Sequence, residues 1–63
     1  MTRSQKLAQE LEWMLLDANC ALQALRTEDP SLNLSNVNAN MVRLIDEVQS
    51  IMGFLAEQNR RAA

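Results

Sequence analysis

From Leu7 to Leu25 apolar residues recur at helical spacing. Leu7, Leu11, Met14, Ala18, Ala21 and Leu25 step 4-3-4-3-4, and Ala8, Leu15 and Leu22 widen the line. At about 100° per residue these positions share one face of an α-helix. A second line, Trp13, Leu16 and Cys20, has i, i+3, i+7 spacing and centres roughly 180° away on the same helix. One helix cannot turn both faces to one neighbour. The Trp-Leu-Cys patch therefore calls for a second contact, with another copy of the chain or with a different protein.

The later half of the chain is more regular still. Leu34, Val37, Met41, Leu44, Val48, Ile51 and Leu55 step 3-4-3-4-3-4, an unbroken a/d series. Val42, Ile45, Met52 and Ala56 each follow a core position and spread the apolar surface toward about 180°. A helix with one neighbour needs less; a helix in a four-helix bundle touches two. The pattern predicts an all-α fold: an antiparallel helical hairpin that dimerises into a four-helix bundle. Met41, Leu44, Val48 and Ile51 are expected to meet Leu11, Met14, Ala18 and Leu22, with Leu55 continuing the dimer or core surface.

Local signals place the ends. Thr2 with Gln5 three residues on is a T-x-x-Q capping box, so the first helix is expected over about 3–27. Pro30 lacks a donor and disfavours helix at Asp29, which puts a turn at about 28–33. The second helix is expected over about 34–61, followed by a frayed alanine tail. Asp29, Asn33 and Ser35 are the candidate caps. The asparagines at 33, 36, 38 and 40 weaken its first turns and favour a start near 33–36.

Size strengthens the case for assembly. With 63 residues the chain has room for one domain, 1–63. Ordering costs about 1.5 kcal/mol per residue, which roughly cancels the apolar burial available to a chain this short. Small chains add disulfides, metals or copies of themselves. The single cysteine, Cys20, excludes an internal disulfide, and with no histidine a structural zinc site has no ligand set. Self-association is the device left.

Composition narrows the setting. No apolar run approaches the ~18–20 residues of a membrane span, and the basic start and apolar stretch of a signal peptide are missing. A free thiol without an export signal leads us to expect the cytoplasm. The net charge of −2 offers no bulk attraction to nucleic acid or an anionic membrane.

Catalytic chemistry is hard to assemble from these residues. Without histidine there is no Ser-His or Cys-His nucleophile pair. Cys20 has Asn19, Ala21 and Asp17 as neighbours, none of which activates a thiol. Glu10 with Glu12, and Asp46 with Glu47, flank apolar stripes as solvated charges do, and Arg43 is placed to pair with Asp46 and Glu47. No cofactor, metal or enzymatic activity is expected. Gly53 stands alone, so it forms no phosphate loop; it reads either as a close approach by another helix or as a tolerated mid-helix cost. Phe54 lies about 100° off the core axis, to cover a bundle edge or anchor a partner. Met14, Met41 and Met52 read first as core filler and second as an adaptable binding surface.

Arg3, Lys6, Arg60 and Arg61 would meet at the open end of a hairpin. In architecture such a dimer resembles the Rop-type RNA-binding bundles, although no Rop residue motif is found here. The resemblance implies RNA binding as an alternative function. A basic tip is a weaker footprint than the basic stripe that phosphate neutralisation uses, and Arg60 and Arg61 also suit a helix C-terminus. The expected function is a non-enzymatic interaction module that binds and modulates another protein, as an anti-activator, an inhibitor or a small assembly chaperone. Trp13, Leu16 and Cys20 are its expected contact, rimmed by Gln9, Glu12 and Asp17. The remaining alternative is a purely structural homo-oligomer with Trp13 in its seam.

Overall fold

A computed structural model describes residues 2–62. Thr2 accepts the Gln5 N–H through its hydroxyl, and the Gln5 side chain accepts the Thr2 N–H at 2.9 Å, so both halves of the capping box form. Helix α1 (Arg3–Glu28) grows from that cap. It ends where the Asp29 N–H donates to the Leu25 carbonyl and Pro30 prevents continuation. The chain then turns over Asp29–Leu32, closed by the Leu32 N–H on the Asp29 carbonyl at 3.2 Å. The Asp29 carboxylate also accepts the N–H and hydroxyl of Ser31, the local bonding that makes aspartate a turn residue.

Helix α2 (Ser35–Ala62) begins inside the expected window. The Asn33 side-chain oxygen accepts the N–H and hydroxyl of Ser35, and the Asn38 N–H donates to the Leu34 carbonyl at the first turn. The tail expected to fray past Arg61 is helical through Ala62, and Ala63 lies outside the described residues. The two helices pack against each other as a hairpin with extents of 52 × 15 × 10 Å. No described helix is long and apolar enough to cross a membrane.

The seam between the helices departs from the expected one. On α1 the buried and half-buried residues are Gln5, Ala8, Gln9, Glu12, Leu15, Asn19 and Leu22. Apart from Gln9 they form a heptad seam, with Gln5, Glu12 and Asn19 in one register position and Ala8, Leu15 and Leu22 in the other. Across from it the seam runs from Leu34 through Asn38, Met41, Ile45, Val48, Met52 and Leu55. Of the expected hairpin contacts, Leu22, Met41 and Val48 face the seam. Leu11, Met14, Ala18, Leu44 and Ile51 do not; they are exposed in the hairpin. The physical reason is that a two-helix seam stays open at its edges. Gln5, Glu12 and Asn19 are only half-buried there, and Gln5 and Asn19 accept hydrogen bonds from Thr2 and Gln23 of their own helix. Polar residues can thus flank the seam at little cost, and apolar density alone does not select the contact face.

Candidate functional site: two apolar faces

Helical phase places the exposed apolar residues on two sides of the hairpin. On α1 the line Leu7, Leu11, Met14, Ala18, Ala21, Leu25 lies about 110° from the seam on one side, and Trp13, Leu16 and Cys20 lie about 105° from it on the other. On α2, Val37, Leu44 and Ile51 lie about 70° to one side, and Val42 about 90° to the other. In an antiparallel pair, crossing the seam reverses the sense of rotation, and so does reversing the chain. The two reversals cancel. Leu11, Ala18 and Leu25 therefore share a side with Val37, Leu44 and Ile51, and Trp13, Leu16 and Cys20 share the opposite side with Val42.

The register is set near the turn, where Gln23 bonds Asn38 across the hairpin. By that register Leu11 stands level with Ile51, Ala18 with Leu44 and Leu25 with Val37. The first side is thus a two-helix apolar surface along most of the molecule. All of its large members are exposed, up to 69% for Met14. The second side is smaller. Trp13 is 57% exposed and Leu16 is 41% exposed, Cys20 is an exposed free thiol, and Val42 stands level with it.

The polar residues expected to rim the Trp13 patch divide. Asp17 is exposed, Glu12 is half-buried in the seam, and Gln9 is half-buried off the seam, in helical phase with Trp13 and Cys20. Arg43 does not reach Asp46 or Glu47; its guanidinium donates to Asn40 Oδ1 at 3.4 Å. A cation N-terminal to its acid is the less favourable helical order, which accounts for the missing pair. At the open end Arg60 and Arg61 both hold Glu57, at 2.7 and 3.3 Å. Phe54 is exposed beside Glu57 and Arg61. A Cβ on Gly53 would meet nothing within 4 Å, so no approach inside the hairpin requires glycine there.

The continuous face built from Leu11, Leu25, Val37, Leu44 and Ile51 is what the pattern of each helix alone does not reveal. Its signal is present in the sequence, in the 37, 44, 51 and 11, 18, 25 heptad spacings, but joining the two lines requires the seam. No protein-family model, curated protein or solved structure matches the chain.

Proposed function

We propose that this chain is a non-enzymatic protein-interaction module of the cytoplasm: a self-associating helical hairpin that binds and modulates another protein, as an anti-activator, an inhibitor or a small assembly chaperone. The observation that carries the reading is the placement of two exposed apolar faces on opposite sides of one seam. A copy seated on one face leaves the other open. Trp13 is the natural anchor of the smaller face, because large aromatics supply much of the energy at interface centres. RNA binding gains less support, since Glu57 already engages two of the four cations of the basic tip.

The test is capture from the native host by wild type and Trp13→Ala side by side, with sedimentation of both. The reading expects one or more proteins held by the wild type and released by Trp13→Ala, with the oligomer unchanged. Identical capture by both chains, or loss of the oligomer on Trp13→Ala, would overturn it.

A further inference from the structure

We infer that the broad face takes a second copy of this chain, in a two-fold arrangement that sets the turn of each hairpin beside the open end of the other. The inference rests on the self-associating reading above and assigns its face and direction.

Area argues for a copy. The chain exposes 4985 Å², whereas a compact monomer of 7.1 kDa would expose about 4,100 Å². The surplus of about 900 Å² is close to the ~800 Å² that each partner buries in a standard interface. Among the described residues only Ala8, Leu22 and Val48 are buried apolar side chains. On α1 the seam and the outward leucine line are about 110° apart, and on α2 the corresponding angle is about 70°. These straddle the roughly right-angled contacts of a helix with two neighbours in a four-helix bundle.

Charge and side-chain size argue for the direction. The open end carries Arg3, Lys6, Arg60 and Arg61 against Glu57, and the turn carries Glu28 and Asp29 against Arg26. Two copies with their open ends together would stack cation on cation. With the ends alternated, each open end meets an acidic turn. In that arrangement α1 lies antiparallel on α1 of the second copy, and the 4-3-4-3-4 line reads the same in both directions. Met14 then meets Ala18 of the second copy, Leu11 meets Ala21, and Leu7 meets Leu25. Two of these three pairings set a large side chain opposite a small one, as close packing favours.

The full chain tests this by sedimentation and by cross-linking. Leu11→Ala should raise the dimer dissociation constant by about a hundredfold or more, while Trp13→Ala should change it by less than about threefold. Because Leu11→Ala can unfold so small a protein, disulfide trapping is the second arm. In a Cys20→Ser background, Leu7→Cys mixed with Leu25→Cys should form a disulfide-linked dimer, and neither variant should do so alone. A disulfide formed instead on mixing the single variants Leu25→Cys and Val37→Cys would place the turns together and overturn the direction. A dimer that survives Leu11→Ala but dissociates on Trp13→Ala would overturn the face and leave self-association standing. A folded monomer at all concentrations would overturn both.

Discussion

Gln23 Nε2 donates to Asn38 Oδ1 at 2.9 Å and to Asn19 Oδ1 at 3.2 Å, joining α1 to α2 through amides at the turn end of the seam. Asn38 occupies a core register position, where a polar residue costs stability and specifies alignment. A double-mutant cycle over Gln23→Ala and Asn38→Ala should give a coupling of about 0.5–1.5 kcal/mol. Chemical denaturation of the four proteins measures it, and a coupling near zero would mean that water replaces the bond.

Val48 is 6% exposed at the middle of the seam. Val48→Ala should cost about 1–3 kcal/mol, as loss of two packed methyl groups does. Leu44 stands on the outward face, so Leu44→Ala should leave the hairpin seam intact and weaken the proposed association instead. Melting of both variants over a range of protein concentration separates the two roles, because only association makes the midpoint depend on concentration.

At the first turn of α1, Thr2→Ala removes the hydroxyl that accepts the Gln5 N–H. The expected cost is about 1 kcal/mol. Denaturation at fixed concentration reads it, and Thr2→Ser should retain most of the stability.

Open space around Gly53 makes the opposite change available. Gly53→Ala should stabilise α2 by up to about 1 kcal/mol, the propensity difference in a helix interior. If a partner's backbone approaches Gly53 closely, the same substitution should weaken capture of that partner while raising the melting temperature.

Trp13 is the only tryptophan, and more than half of it is open to water. Its emission should be red-shifted and quenched by acrylamide in the protein without a partner. Trp13→Ala should change stability by less than about 0.5 kcal/mol. A blue-shifted, shielded indole would instead place Trp13 in the self-association seam.

The cap of α1 and the turn between the helices rest on residues a few positions apart, Thr2 with Gln5, Asp29 with Ser31 and Asn33 with Ser35, which is why local sequence carries them. The last turn of α2, helical through Ala62, carries no such signal. The α2 series from Leu34 to Leu55 also marked a helix with apolar surface on more than one side. Periodicity by itself determined that Trp13, Leu16 and Cys20 diverge from the leucine line, since angular separation follows from spacing alone. Only the tertiary structure decided which line meets the other helix. On α1 it took the flank of the leucine line: the seam runs through Ala8, Leu15 and Leu22, which widen that line, together with Gln5, Glu12 and Asn19. Hydrophobicity ranks faces by the water they exclude, whereas a two-helix seam is open at its edges and tolerates half-buried polar residues whose hydrogen bonds are satisfied, as Gln5 and Asn19 are. That choice places Leu11 and Leu44 together on one outer side and Trp13 on the other.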